Sequence, residues 1–124
     1  MNISAHCQLQ HSNSAIDLVL LKSYVNDDAP RLKKLIKSFM KSSQKIIHKL
    51  ETAVADNNYD HWSVLSHNLK GASSFVGAES LRSLCELEEF RDDTTNSTRE
   101  AQFALISEEY SEIIRSLNNI LETL

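Results

Sequence analysis

The sequence predicts an all-α fold, an antiparallel up-and-down four-helix bundle with an additional short N-terminal helix. Three observations predict it. The 124 residues include only 2 glycines and 1 proline, too few turn-formers for the many reversals of a β-rich chain. Apolar residues recur at three- and four-residue spacings over long stretches, as they do on one face of a helix. The intervening stretches are short and rich in Asp, Asn, Ser and Thr, the residues that cap helices and turn chains. Long amphipathic helices joined by short links pack as a bundle.

Residues 1–14 are polar and non-periodic and read as a flexible N-terminal tail, and 15–124 as the bundle. Ala15 to Val25 forms a short apolar helix that closes one end. Asn26, Asp27 and Asp28 supply the turn and the N-cap, and Pro30 suits the first turn of the next helix. That helix runs to about Ala55, with Leu32, Leu35, Ile36, Phe39, Met40, Ile46, Ile47, Leu50, Ala53 and Val54 inward, and Asp56, Asn57 and Asn58 break it. A third helix, from about Asn58 to Phe75, turns Trp62, Leu65, Leu69, Ala72 and Val76 to the core, and Gly77 permits the turn out. The fourth runs from near Ala78 to about Arg91 and buries Leu81, Leu84, Cys85 and either Leu87 or Glu88. After a capping-rich connection, a last helix from about Thr98 to Leu124 presents Phe103, Ile106, Tyr110, Ile113, Ile114, Leu117, Ile120 and Leu121.

With 41% hydrophobic and 24% charged residues the chain has the makings of a folded domain and not of a disordered one. A net charge of −4 argues against nucleic acid as partner. The one basic cluster, Arg31, Lys33, Lys34, Lys37 and Lys41, reads as a solvated helix face. Cys7 and Cys85 make no disulfide framework, which fits a reducing, cytoplasmic setting. The N-terminus lacks a signal-peptide pattern, and no run approaches the ~18 apolar residues of a membrane span.

The chemistry concentrates in His67-Asn68-Leu69-Lys70-Gly71. At about 100° per residue, His67 lies roughly 160° from Leu65, on the face away from the core. Lys70, Gly71 and Ser74 follow it at i+3, i+4 and i+7 on the same outward stripe, which Asp60, Ser63 and Val64 extend backwards. An exposed imidazole is a nucleophile near neutral pH. A phosphoryl group on it would add about two negative charges, and a lysine one turn away would neutralise part of them. Gly71 costs the helix about 1 kcal/mol relative to alanine. On the outward face it clears the surface of side chains, so that a partner's active site can close over the imidazole.

These residues resemble a known family. His67-x-Leu69-Lys70-Gly71, then Gly77-Ala78 and Leu81-x-x-Leu84-Cys85, ending in Glu89, is similar to the signature of histidine-containing phosphotransfer domains. The stretch IDLVLLKSYVNDDAPRLKKLIKSF resembles that family's first two helices. The resemblance covers roughly residues 15 to 120. It implies that His67 is the phospho-accepting histidine, Lys70 the support for the phosphoryl group, Gly71 the allowance for the partner's approach and Gly77 the turn into the fourth helix. It implies for Glu89 a role in orienting the ring. Ser66 departs from the alanine often found before the histidine. The implied role is relay of phosphoryl groups to and from the aspartate of receiver domains in response regulators or hybrid kinases, within a two-component phosphorelay. The resemblance also implies that the Mg²⁺ sits on the receiver and that this chain carries neither a cofactor nor kinase activity. Val64, Phe75 and Ser74 are candidates for the docking surface, and a monomer is expected.

Three other readings compete. A non-catalytic helical adaptor would leave His67 dispensable. The dimerising hairpin of a histidine kinase usually carries an acid directly after its histidine, where this chain has Asn68. A metal site would draw on His6, Cys7 and His11, which lack a fourth ligand; His61 and His67 lie on different faces of one helix, and His48 reads as a boundary residue.

Overall fold

The structure is a computed structural model that describes residues 15–91 and 96–124. Five helices follow in order: α1, Leu18–Ser23; α2, Ala29–Ala55; α3, Tyr59–Phe75; α4, Glu79–Glu89; and α5, Asn96–Thr123. No strand occurs among the described residues. The four longer helices form a ring in which α2 packs on α3 and α5, and α4 packs on α3 and α5. The all-α bundle expected from the sequence is the observed fold.

Local chemistry sets the starts of the first three helices. Asp17, Asp28 and Asn58 cap α1, α2 and α3, their side chains accepting from Leu20 N, Arg31 N and His61 N. Asn26, Asp27 and Asn57 take positive φ of 51°, 61° and 54°, the left-handed region that short polar residues tolerate better than most. Helix α1 is shorter than the Ala15–Val25 expectation. Its start is fixed where Asp17 caps it, and Asp17 N donates to Val76 O at 2.8 Å. The segment thereby fastens the end of the bundle where α3 turns into α4. Tyr24 reinforces the join: its hydroxyl donates to Phe75 O at 2.9 Å, and its ring stacks on Phe75 with centroids 4.5 Å apart.

Gly77 makes that turn, with φ of 71°. A Cβ built there would come within 2.4 Å of the Asp17 Cβ, so both backbone angle and space exclude a side chain.

The core is apolar and drawn from every helix. Leu21, Leu32, Ile36, Leu50, Trp62, Leu69, Leu81, Ile106, Ile113 and Leu117 are essentially fully buried. Burying one such side chain contributes about 1.5–3 kcal/mol before entropy is counted. Cys85 is also buried; burial, helped by the carboxylates of Glu88 and Glu89, pushes its thiol up to about 12, as befits an inert core residue. Between α2 and α5, Ser43 Oγ and Tyr110 Oη share a hydrogen bond of 2.7 Å. The basic cluster on α2 is exposed along its whole length, the solvated face expected of it. No helix among the described residues is long and apolar enough to cross a membrane.

Candidate functional site

Helix α3 carries the candidate residues, and α4 completes the site. His67 is exposed, with 63% of its side chain open to solvent, while Trp62, Leu65, Ser66, Leu69 and Ser73 turn inward. The outward placement expected from helix angles is therefore observed. Gly71 is exposed, and a Cβ there would meet nothing within 4 Å. A packing role for this glycine is thus absent, and the surface beside His67 is open.

The ring of His67 is held by one contact from α4. Its Nδ1 lies 2.6 Å from Glu89 Oε2. The other oxygen, Oε1, pairs with Lys70 Nζ at 2.6 Å. Hydrogen bonding to Lys70, followed by that to His67, holds the Glu89 carboxyl below its usual range against the opposing effect of desolvation. A carboxylate that stays ionised only accepts, so Nδ1 is the donor in this contact, and in the neutral imidazole Nε2 is then the nitrogen that keeps its lone pair. Among the described histidines, only His67 has a ring nitrogen in a hydrogen bond; His48 and His61 are exposed on other faces.

Lys70 is not idle on the surface. Besides Glu89 it meets the ring of Phe90, whose centroid lies 5.8 Å from Nζ. Phe90 is 71% exposed, and reading the sequence did not single it out. An aromatic residue directly after the acidic end of an amphipathic helix was the available signal.

The other expected residues divide by neighbourhood. Val64, 57% exposed, lies one turn before His67, and Ser74 is exposed on the same stripe. Phe75 is two turns beyond His67 and engaged by Tyr24; it keeps 37% exposure, so it forms the far edge of the outward surface. Of the two residues offered for one core position on α4, Glu88 is buried and Leu87 is exposed. The Glu88 carboxylate accepts from Trp62 Nε1 at 3.3 Å and from Arg91 Nε at 2.7 Å. Ser63 Oγ donates to Glu89 O at 2.8 Å. No group of His, Cys, Asp and Glu side chains suited to a metal occurs among the described residues; His6, Cys7 and His11 lie outside them.

The chain matches the Hpt domain family over residues 34–122, from the first turns of α2 to the end of α5. It superposes on the X-ray structure of a rice protein named as a histidine-containing phosphotransfer protein, with a TM-score of 0.77 and 20% identity over 96% of this chain and 88% of that one. At that identity the likeness establishes the fold. No curated protein matches the chain. The family match spans well over half of the chain, including the His67 helix and the Glu89 helix, and so the chain belongs to the Hpt domain family, the histidine phosphotransfer carriers of phosphorelays.

Proposed function

We propose that His67 is the residue that carries the phosphoryl group, and that Nε2 is the atom. The observation that carries this reading is the Glu89 contact: a carboxylate on Nδ1 of an open imidazole keeps the proton of the neutral ring there, which makes Nε2 the nucleophilic nitrogen. In the forward step the Nε2 lone pair attacks the phosphorus of an aspartyl phosphate on a receiver domain. The N–P bond forms as the bond from phosphorus to the aspartyl oxygen breaks, and the aspartate leaves as a carboxylate. The ring becomes positively charged as this happens, and Glu89 is placed to stabilise that charge. The reverse step returns the phosphoryl group to an aspartate by the same path.

The chain's part is to supply nucleophile, orientation and a flat approach. Mg²⁺ and most of the charge stabilisation on the transferring group belong to the receiver; the domain needs no cofactor of its own and no kinase chemistry. Lys70 lies one turn from His67 and supplies a cation to the phosphoryl oxygens. Gly71 leaves room for the rim of the receiver's site, with Val64, Ser74, Phe75 and Phe90 around it as docking surface. The domain acts as a monomer, since docking uses one exposed flank and leaves the core intact.

The test is incubation of the domain with a phosphorylated receiver. An acid-labile, base-stable label is expected on the wild type and none on His67→Gln, with helicity and Tm of the variant nearly unchanged. Labelling of His67→Gln would move the site elsewhere. Absence of label on the wild type across a receiver panel would favour a helical adaptor.

A further inference from the structure

Glu89 reaches His67 from the last turn of α4, where helices fray unless their ends are tied. Two contacts outside the His67–Glu89–Lys70 set tie this end to α3. Ser63 Oγ donates to Glu89 O at 2.8 Å, using a carbonyl in the turn that lacks intrahelical partners. Next to it, the Glu88 carboxylate is 1% exposed. It accepts from Trp62 Nε1 at 3.3 Å, from Arg91 Nε at 2.7 Å and, on its second oxygen, from Arg91 Nη2 at 2.6 Å. A carboxylate that deep is held in place by its donors, since losing them leaves a buried charge uncompensated.

Both α3 anchors sit just before the nucleophile. Trp62 and Ser63 belong to the same helix as His67, about one turn upstream. The ring and the points that hold its partner therefore share one rigid element. Moving the α4 terminus by an ångström would break a 2.6 Å contact to Nδ1.

We propose that Ser63 and Glu88 are positioning residues for phosphotransfer: they lock the end of α4 to α3 so that Glu89 holds His67 as the Nδ1–H tautomer. A neutral imidazole in water favours the proton on Nε2, the tautomer in which the open nitrogen is not a nucleophile. The clamp inverts that preference. Its consequence for transfer rests on His67 being the acceptor, whereas the tautomer is measurable without any transfer.

The experiment is ¹⁵N NMR of the His67 ring at mildly alkaline pH, run beside phosphotransfer from one phosphorylated receiver. In the wild type Nδ1–H is expected to dominate. Ser63→Ala, which removes one half-buried hydroxyl and keeps the fold, is expected to shift the ring toward Nε2–H and to slow transfer several-fold. Ser63→Thr, which keeps a hydroxyl, is expected to restore both. Glu88→Gln is expected to act like Ser63→Ala; should it fail to fold in a thermal melt, the serine pair decides. An unchanged tautomer in folded Ser63→Ala overturns the proposal. A shifted tautomer in a chain that accepts no phosphoryl group upholds the clamp and overturns only the assignment of His67 as acceptor.

Discussion

Lys70 Nζ lies 2.6 Å from one oxygen of Glu89 while His67 Nδ1 lies 2.6 Å from the other. A single carboxylate from α4 thus engages two residues of the outward stripe of α3. Before transfer, Lys70 is balanced by Glu89. On the proposed role of His67, transfer would bring about two negative charges to within a turn of the same lysine, so that Lys70 would then have two anions to serve. Glu89 would correspondingly be left to a ring that gains positive charge on phosphorylation.

Glu89→Gln separates these roles. A glutamine keeps the shape but offers Nδ1 either an acceptor or a donor and carries no charge. Transfer is expected to slow roughly tenfold or more, the worth of one hydrogen bond to a charged group. Stability should also change its pH dependence. The folded carboxyl titrates below its usual range because of Lys70 and then His67. Its stabilising effect is therefore complete above the unfolded value of about 4.3 and is lost as pH falls through the lower folded value. Thermal melts from about pH 7 down to about pH 3 should show a shallower acid loss in Glu89→Gln than in the wild type. Equal acid limbs would mean that the pairing does not persist in solution.

Lys70→Ala tests the cation. The expected outcome is slower transfer or a shorter-lived phosphohistidine, with partial rescue in Lys70→Arg, which keeps the charge but not the compact ammonium. Loss of folding stability should be about 1 kcal/mol or less, since the pair is partly solvated. Transfer and phosphohistidine lifetime both equal to wild type would remove Lys70 from the site.

Gly71 allows two substitutions with opposite readouts. Gly71→Ala adds a methyl where nothing lies within 4 Å, so it should stabilise the helix by about 0.5–1 kcal/mol. Gly71→Leu should also fold, yet lose affinity for a receiver in a binding titration. A leucine variant that binds as well as wild type would defeat the clearance explanation and leave the helix cost of this glycine unaccounted for.

What the sequence makes legible here follows from the kind of reasoning each residue demands. The outward stripe His67, Lys70, Gly71 and Ser74 needs only a helix and its 100° step, and it stands as expected. The partner of His67 does not follow from that step, because Glu89 sits 22 residues away on another helix; only resemblance to a family brought it forward. Lys70 shows the limit within a single helix. Its position lies about 60° round from His67 on the side of α4, and that offset lets it pair with Glu89 instead of standing free. Leu87 and Glu88 show the limit of hydrophobicity as a guide to burial. The acid takes the inner position because Trp62 Nε1 and Arg91 supply donors there, a fact that only tertiary packing contains.

Gly77 is the structural counterpart of Gly71. Gly77→Ala must place a methyl at φ 71°, within 2.4 Å of the Asp17 Cβ. A loss of about 1–3 kcal/mol is expected, and the N-terminal segment that Asp17 anchors to Val76 should come loose first. Hydrogen exchange would read this as faster exchange at Asp17 and in α1. A melt and an exchange pattern unchanged from wild type would show that the turn relaxes without cost.

Ser66 offers a test in the favourable direction. It directly precedes His67, is fully buried, and its hydroxyl has no hydrogen-bond partner among the described residues. A buried oxygen without a partner adds a desolvation penalty. Ser66→Ala, the residue often found at this place in the family, is expected to raise stability by about 1 kcal/mol while leaving transfer unchanged, because the backbone that carries His67 does not move. Denaturant unfolding and a receiver assay on the same preparation decide it. Destabilisation would show that the hydroxyl has a partner after all, an ordered water being the first to look for.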